Sequence, residues 1–408
     1  MDLQSKLAIL ADAAKYDASC ASSGSTRKDS AGGRGMGSTG GMGICHSYAP
    51  DGRCISLLKI LLTNFCIYDC LYCVNRISSN VQRARFTVDE VVKLTLDFYS
   101  RNYIEGLFLS SGIIRDADYT MEQLVAVART LRVEHDFRGY IHLKTIPDAS
   151  DELSAEAARY ADRVSVNVEL PTEAGLNKLA PEKDSQSIKR SMAHLREHID
   201  AGKDEAKRSA KAPKIAPAGQ STQMIIGADD ATDAAIIEKS VTLYSSYRLR
   251  RVYYSAFSPI ADASTLLPVR PAPLIREHRL YQTDWLLRFY GFRHQELFER
   301  TDGMLDLDVD PKLAWALKHR EQFPIDINRA PRERLLRVPG LGQKAVERLI
   351  AARKLRTIRV EDLRKLHVPV KRVLPFVKIL GQTNSRVLDS ESLQRMIQPE
   401  PQQLGLWG

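Results

Sequence analysis

The chain has 408 residues, a formal net charge of +9 and only six cysteines. A chain of this length can bury a core of its own, which argues against a secreted disulfide scaffold. No apolar run is long enough to span a membrane, and the first residues do not form a signal peptide. We therefore expect a cytoplasmic protein with reduced cysteines and no contact with a membrane.

The N-terminal segment is predicted to contain one helix followed by a connector. MDLQSKLAILADAAKYD combines charged and apolar residues in the pattern of an amphipathic helix. Residues 21–44 hold eight of the 23 glycines, a composition typical of a flexible connector or a substrate lid.

Three cysteines lie within eight positions in the stretch TNFCIYDCLYCVNR, residues 63–76. Structural zinc usually takes four ligands arranged as two pairs, whereas Cys66, Cys70 and Cys73 form a lone triplet. Three thiolates can hold three irons of a cubane 4Fe-4S cluster and leave the fourth iron open to an outside ligand. The alternatives are a redox-inert structural cluster, or a zinc site completed by a residue such as His46.

The triplet, with the aromatic Tyr72 directly before its last cysteine, resembles the cluster loop of the radical SAM superfamily. The resemblance implies that the open iron binds the amino and carboxylate groups of S-adenosylmethionine, with Tyr72 at the cofactor. It also implies that an electron from the cluster splits the sulfonium and that a 5'-deoxyadenosyl radical abstracts hydrogen from the substrate. An electron donor is then an expected partner.

The chain around and after the triplet is predicted to alternate strands and helices. Continuous apolar runs of this kind are typical of parallel strands that are buried on both faces. TVDEVVKLTLDFYSRN has helical periodicity, with Thr87 as its N-cap, and further helices are expected in MEQLVAVARTLRV and AAIIEKSVTLYSSY. The pattern predicts an α/β fold, a partial parallel (βα)6 barrel whose ligands bind at the C-terminal ends of the strands. The six predicted strands are residues 55–62, 106–111, 140–145, 163–168, 221–227 and 250–257.

Polar residues stand at several of these strand ends. Ser110, Ser111 and Gly112 occupy the place of the glycine-rich turn that, in the superfamily, meets the methionyl amino group, although serines replace the usual glycines. Lys144, Asn167 and Glu169 follow later strands, where the superfamily has polar partners for the carboxylate and the ribose. By their residue types alone, these side chains are also compatible with ordinary loop positions.

Positive charge is concentrated near the C-terminus. Residues 331–380 hold 14 Lys or Arg and four Asp or Glu, so the rest of the chain is close to neutral. A local basic excess of this size indicates a polyanion as partner, in particular DNA.

The basic segment contains LLRVPGLGQKAVERLIAARK, which resembles the helix-hairpin-helix motif of DNA repair and recombination proteins. In this interpretation a glycine turn brings backbone N–H groups to a phosphate, and a lysine adds positive charge. The turn consists of Pro339, Gly340, Leu341 and Gly342, and the lysine is Lys344. LHVPVKRVLPFV repeats the opening without the glycines and is expected to pack against the first copy. The alternative is a domain that binds protein.

The order of the motifs narrows the resemblance further. YDASC, GICHSYAPDGRCISLLKILLTN, GQSTQMIIGA, RLYQTDWLLRFYGF and DPKLAWAL are similar to stretches of the DNA modification or repair radical SAM proteins. Members of that family are typically linked with a uracil-DNA-glycosylase-like protein, which becomes an expected partner. The resemblance names no substrate nucleotide.

The remaining cysteines, Cys20, Cys45 and Cys54, allow two interpretations. As small apolar side chains they can fill gaps in the core. However, Cys45 and Cys54 lie in a polar stretch, and with Cys20 they could hold a second Fe-S cluster beside the first, as in radical SAM enzymes that insert sulfur or relay electrons.

The last residues form a polar tail that ends in an apolar group. Gln403, Leu404, Leu406 and Trp407 resemble the Q-L-x-L-F peptide with which bacterial replication and repair proteins bind the sliding clamp. A tail that folds back on its own domain is the alternative. The predicted organisation is an N-terminal segment, a radical SAM barrel, a small all-α helix-hairpin-helix domain and a flexible tail, at residues 1–50, 51–300, 301–380 and 381–408.

Three functions agree with these features. The first is an enzyme that abstracts hydrogen from a nucleotide in DNA, and the second is an RNA-modifying enzyme with the same barrel. The third is a DNA-binding protein whose cluster is structural or senses redox state. The polar groups at several strand ends argue against the third, and the helix-hairpin-helix resemblance favours DNA over RNA.

Overall fold

The computed structural model describes residues 1–16, 43–48, 54–299 and 301–380, together with 388 and 393. These residues divide into two compact units, Met1–Ala231 with Lys239–Leu274, and Thr232–Glu238 with the chain from Ile275 onward. The continuous C-terminal part of the second unit begins at Ile275. The domain boundaries set from the sequence pattern, with a change at residue 300, stay predictions. Among the described residues, no helix combines the length and apolar composition that a membrane crossing requires.

The first unit is built on a curled, mostly parallel sheet that forms a half-barrel. Its strands lie in chain order, and β2 to β7 are all parallel, while β1 pairs antiparallel with β2. The seven strands described are β1 (Ile44–Tyr48), β2 (Cys54–Leu61), β3 (Gly106–Ser110), β4 (Tyr140–Lys144), β5 (Arg163–Ser165), β6 (Gln220–Ile226) and β7 (Arg251–Ala256). The six predicted strands and their parallel arrangement are confirmed.

Among the described helices, one precedes the strands of the first unit, and the others connect its parallel strands. They are α1 (Leu3–Ala13), α2 (Val88–Ser100), α3 (Ala117–Val133), α4 (Asp151–Tyr160), α5 (Glu173–Leu179), α6 (Ser185–Arg208) and α7 (Asp233–Tyr247), whose first turn groups with the second unit. The predicted N-cap of α2 is confirmed, because the Thr87 hydroxyl accepts from the Glu90 N–H and the Glu90 carboxylate accepts from the Thr87 N–H.

The burial of the strands explains why helices alternate with them along the chain. Leu57, Leu58 and Ile60 of β2 are completely buried, as are Leu107 and Leu109 of β3. Strands with apolar residues on both faces need cover on both faces, which the connecting helices supply. The consequence for function is that the carboxyl ends of β2 to β6 meet at one edge, where polar side chains can converge.

The second unit is mainly helical and has its own apolar core around Trp315, Phe323, Leu349 and Phe376. Its helices are α8 (Leu274–Tyr290), α9 (His294–Phe298), α10 (Pro311–Lys318), α11 (Arg332–Leu336), α12 (Gln343–Arg353), α13 (Val360–Lys365) and α14 (Val370–Val373). It also contains two short paired strands, β8 (Ile325–Asp326) and β9 (Val377–Lys378).

The paired strands correct the prediction that this part of the chain is all-α. The buried Ile325 and Val377 face each other across this pairing and bring distant parts of the second unit together. Two-residue strands have no periodicity that a sequence pattern can reveal.

Candidate active site

The loop that carries the cysteine triplet follows β2 and lies against the segment that follows β3. Gly112 N–H donates to the Thr63 carbonyl at 2.8 Å, and Ile67 N–H donates to the Ile113 carbonyl at 2.8 Å. A Cβ atom on Gly112 would lie 2.2 Å from the Phe65 carbonyl oxygen. Gly112 is therefore required for close packing of the cysteine loop, in addition to its predicted place at the cofactor.

The Arg83 side chain fixes the backbone of this loop. Its guanidinium group donates to four backbone carbonyls, those of Asn64, Asn75, Arg76 and Ser79, at 2.5 to 2.9 Å. Because the three cysteines lie between the first and last of these carbonyls, one side chain fixes both ends of the loop.

Cys66, Cys70 and Cys73 line one cavity of about 180 Å³ as free thiols. Burial raises the pKa of Cys70 to about 12 and that of Cys73 to about 11, so a protein without metal favours the neutral thiols there. Among the described residues, no three His, Cys, Asp or Glu side chains converge on the position of a single metal ion. This does not conflict with a cubane, because each thiolate binds a different iron.

Tyr72 supplies a second sign that the cavity fits a polar group. Its hydroxyl is buried and makes no hydrogen bond of good geometry with the described residues, although the Cys70 thiol lies close to it. Burial raises the pKa of Tyr72, so the phenol remains neutral. A buried hydroxyl without a hydrogen bond is costly unless a ligand supplies one. The three thiols and this hydroxyl therefore fit an Fe-S cluster and a polar cosubstrate.

The predicted residues at the other strand ends line the same cavity. Ser110 ends β3 and Lys144 ends β4, while Asn167 and Glu169 follow β5, and Ser111 and Gly112 complete this part of the wall. Asn167 and Glu169 are largely buried. The structure thus brings together all ten residues that were predicted to surround the cluster and its cosubstrate.

Glu169 is held in an unusual backbone conformation. Its φ angle of +63° lies in the left-handed region, and its carbonyl accepts from the Ile225 N–H at 2.7 Å. Left-handed residues other than glycine are uncommon and concentrate at functional sites. The backbone pairing with β6 keeps the Glu169 carboxylate in the cavity wall.

Lys183 is a residue of this site that the sequence pattern did not reveal. Its ammonium group lies 2.5 Å from the Glu169 carboxylate, and both side chains line the cavity. Burial by itself lowers the pKa of Lys183, but Glu169 and the nearby thiols outweigh it and raise this pKa. Lys183 lies between α5 and α6, and only the fold brings it to Glu169, so no local sequence signal could have identified it.

The structure does not bring Cys45 and Cys54 together. Cys45 pairs with Leu57 across the β1–β2 ladder, and Cys54 is three residues from Leu57, so the two side chains point to opposite faces. Cys54 begins β2 and lies about 23 Å of extended chain from Leu61 at the other end of the strand, at ~3.3 Å per residue. Cys45 packs against the apolar group of Leu57 and Phe108, as the gap-filling interpretation expects. Cys20 and the His46 side chain lie outside the described residues.

The second unit contains the predicted glycine hairpin between α11 and α12. Gly340 has a φ of +86°, which favours glycine, and a Cβ there would lie 3.0 Å from Val373 and 3.2 Å from Pro369. The repeat of the motif therefore packs on the turn, as predicted. Gly342 is the N-cap of α12 and has no side chain to accept from the first helical N–H groups, and Lys344 is exposed in the first turn. Pro339 and Leu341 complete the turn.

Lys312 supports this hairpin from inside the second unit. Its ammonium group donates to the carbonyls of Leu336 and Leu341 at 2.9 and 2.5 Å, and it lies 4.8 Å from the centre of the Tyr290 ring. Burial lowers the pKa of Lys312 to about 7. The sequence pattern did not reveal this residue, since its partners are backbone carbonyls distant in the chain. The predicted clamp peptide, residues 403–407, lies outside the described residues.

A comparison with protein families finds a match, which lies within the first unit. Residues 60–206 match the family model described as the Radical SAM superfamily. This superfamily uses a 4Fe-4S cluster and S-adenosylmethionine. No curated protein matches the chain.

Several solved structures resemble part of the chain. They include a structure of HydG, a maturase of the [FeFe]-hydrogenase, at 14% identity, TM-score 0.42 and coverage of 55% of this chain and 48% of HydG. The HydG of Carboxydothermus hydrogenoformans is 16% identical, with a TM-score of 0.43 and coverage of 56% of this chain and 49% of that HydG. Methylornithine synthase (PylB) is 14% identical, with a TM-score of 0.42 and coverage of 56% of this chain and 61% of the synthase. The chain spans about half the length of the HydG chains, and at these scores the similarity carries no argument about activity.

Proposed function

We propose that the protein is an enzyme that modifies or repairs a nucleotide in DNA, and the proposal starts from the match of residues 60–206 to the Radical SAM superfamily model. The observation that carries the enzymatic part is the cavity in which three cysteines and the polar groups of three further strand ends meet. A structural cluster would need the cysteines but would give no reason for these other groups.

The cavity residues have separable tasks in this proposal. Cys66, Cys70 and Cys73 hold the cluster. The cluster and S-adenosylmethionine supply, when bound, the radical that removes hydrogen from the substrate. The cosubstrate carries an ammonium, a carboxylate and a sulfonium, so its site needs groups of both charges, which Lys183 and Glu169 provide as a fixed pair.

The DNA part of the proposal rests on the second unit. The first-turn N–H groups of α12 have no side-chain cap at Gly342, and an uncapped helix start attracts an anion such as phosphate. Lys344 stands exposed in the same turn, within a segment that carries a surplus of ten positive charges. Contacts of this type hold the nucleic-acid backbone without reading its sequence.

Product analysis tests both parts. The cluster is reconstituted without oxygen and reduced with dithionite, and S-adenosylmethionine is added alone, with duplex or damaged DNA, or with a folded RNA. We expect 5'-deoxyadenosine formation that depends on DNA, and none from Cys70→Ala. Formation that depends only on RNA would favour an RNA-modifying enzyme, and stable cluster without any cleavage would favour a structural or redox-sensing cluster.

We also propose two protein partners from the sequence. The uracil-DNA-glycosylase-like protein rests on the family resemblance. The sliding clamp rests on the tail peptide, which would place Leu406 and Trp407 in an apolar cleft and raise the local concentration of the enzyme on DNA. A peptide of residues 397–408 should bind a bacterial clamp with micromolar affinity and lose it when both residues become Ala. Equal binding by the doubly substituted peptide would rule this partner out.

A further inference from the structure

A second cavity, of about 420 Å³, lies entirely within the second unit beside the glycine hairpin. Its volume is in the range of small-molecule sites, about 300 to 1,000 Å³. One wall is formed by the turn at Gly340, Leu341 and Gly342, and another by aromatic residues of α8. The cysteine cavity is formed by the first unit alone, so this is a separate site.

The aromatic wall is unusually exposed. Trp285 lines the cavity and keeps 48% of its surface accessible, and Tyr281 lies one helical turn before it on the same face of α8. Phe289, one turn after Trp285, is 38% exposed and packs edge to face against it, with ring centres 5.3 Å apart. Large aromatic residues in a row on a helix surface typically mark a binding site.

The opposite wall provides positive charge and the start of α12. Lys312 is buried beneath the turn, and Arg372 reaches the cavity while it forms an ion pair with Asp310. Asp310 is thereby neutralised, and its carboxylate also caps α10 through the Leu313 N–H. The cavity therefore combines aromatic rings with basic side chains and the uncapped start of α12, a combination that suits a nucleotide better than an apolar peptide.

Two contacts hold the walls in place. The Gln343 amide donates to the Phe289 carbonyl at 2.7 Å, which joins the first turn of α12 to the C-terminal end of α8. Arg337 donates to the Gly291 carbonyl at 3.1 Å and covers the Phe292 ring. The aromatic row and the hairpin thus form one preorganised surface.

We infer that this cavity binds an unpaired base of a nucleic acid strand, stacked on Trp285, while a neighbouring phosphate contacts the hairpin turn. The inference rests on the proposed function and extends it, since a hairpin that held only the backbone would not distinguish paired from unpaired nucleotides. The enzyme would then prefer DNA with a gap, a bulge or a base displaced from the helix.

The test compares two duplex oligonucleotides of equal length, one fully paired and one with a single unpaired 2-aminopurine. Binding of the full-length protein is measured by fluorescence anisotropy, and stacking by quenching of the 2-aminopurine. We expect tighter binding of the unpaired duplex with quenching. Trp285→Ala should remove the quenching and weaken this binding roughly 10-fold or more, with little effect on the paired duplex.

Controls separate this inference from its premise. Trp285→Phe should restore stacking, and Tyr103→Ala removes an exposed aromatic of the first unit without effect. The near-ultraviolet circular dichroism of Trp315 reports whether the second unit is folded. If Trp285→Ala binds both duplexes like the wild type, the base site is wrong although the DNA-binding proposal stands. If the wild type binds neither duplex, the proposed function fails and the base site with it.

Discussion

One guanidinium group holds the loop that carries the three cysteines, and its removal should weaken the binding of the cluster. Arg83 donates to four carbonyls that bracket the triplet. In Arg83→Ala those carbonyls lose their donor, and the loop can move away from the geometry that fits a cubane. We expect at least about 10-fold faster loss of iron to a chelator, given several charge-assisted bonds.

The measurement is the rate at which visible absorption of the reconstituted cluster disappears. Arg85→Ala is the matched control, because Arg85 is a neighbouring arginine whose guanidinium group donates to the Tyr119 hydroxyl at 2.8 Å and not to the carbonyls of the cysteine loop. Arg83→Lys should be intermediate, since an ammonium cannot reach four carbonyls at once. Equal rates for the three variants would mean that Arg83 does not position the loop.

Gly112 gives a second prediction at the residue scale. A methyl group there would overlap the Phe65 carbonyl oxygen, at 2.2 Å, and backbone cannot move aside cheaply. Gly112→Ala should therefore destabilise the first unit by about 1–3 kcal/mol and lower the iron bound per chain. Thermal unfolding and iron analysis measure the two effects. Ser111→Ala is the control, because it removes only a hydroxyl from the adjacent position, and an unchanged iron content in Gly112→Ala would refute the packing argument.

At the scale of elements, the strands were predictable because each is a continuous apolar run. GLFLS of β3 is a nearly continuous apolar run that predicts a strand covered on both faces, and in the structure it is buried at every position. β1 was not predicted, because ICHSY pairs on one side only and contains polar residues typical of a loop. The site residues at strand ends were predictable by position, whereas Lys183 and Arg83 were not, since each acts through partners that only the tertiary fold supplies.

The hairpin of the second unit should show a characteristic pH dependence. Burial lowers the pKa of Lys312 in the folded protein to about 7, from 10.5 in the unfolded chain. The folded state then binds the proton less well, so the contribution of Lys312 to stability is full above pH 10.5 and is lost as the pH falls towards 7. We expect the wild type to gain stability between pH 7 and pH 9.5 relative to Lys312→Met.

Urea unfolding at several pH values measures this difference. Trp285 and Trp315 both belong to the second unit and give its fluorescence signal. Lys312→Met should be less stable at the alkaline end of this range, because the carbonyls of Leu336 and Leu341 lose their donor, and the difference should shrink towards pH 7. A constant difference between wild type and variant across this range would show that the lysine does not titrate there.

At the scale of the whole molecule, charge and chemistry are divided along the chain. The residues around the cysteine cavity belong to the first unit, and the basic segment 331–380 belongs to the second, while the remainder of the chain has a net charge near zero. The proposed attraction of a polyanion would therefore belong to the second unit. Cluster binding and the proposed DNA binding should then be separable by single substitutions.

Two variants test this separation. Cys70→Ala should remove the cluster, measured as iron per chain, and leave DNA affinity within about twofold of wild type. Gly342→Val should keep the iron and weaken DNA affinity about 10-fold, because a side chain at the N-cap would stand before the first N–H groups of α12. Its φ of −89° accepts valine, and the nearest atom to a Cβ is 3.6 Å away, so the hairpin should still fold.

Gly340→Val is the contrasting variant, because its φ of +86° and its contact with Val373 do not accept a side chain. It should unfold the hairpin, with a change in tryptophan fluorescence that Gly342→Val does not show. Salt titrations then complete the argument, since a variant that has lost a phosphate contact binds with a shallower dependence of affinity on salt. If Gly342→Val binds DNA with the wild-type affinity and slope, phosphate is held elsewhere in the chain. If Cys70→Ala weakens DNA binding as strongly as Gly342→Val, the cluster and the DNA surface are coupled, and the division of tasks between the units is wrong.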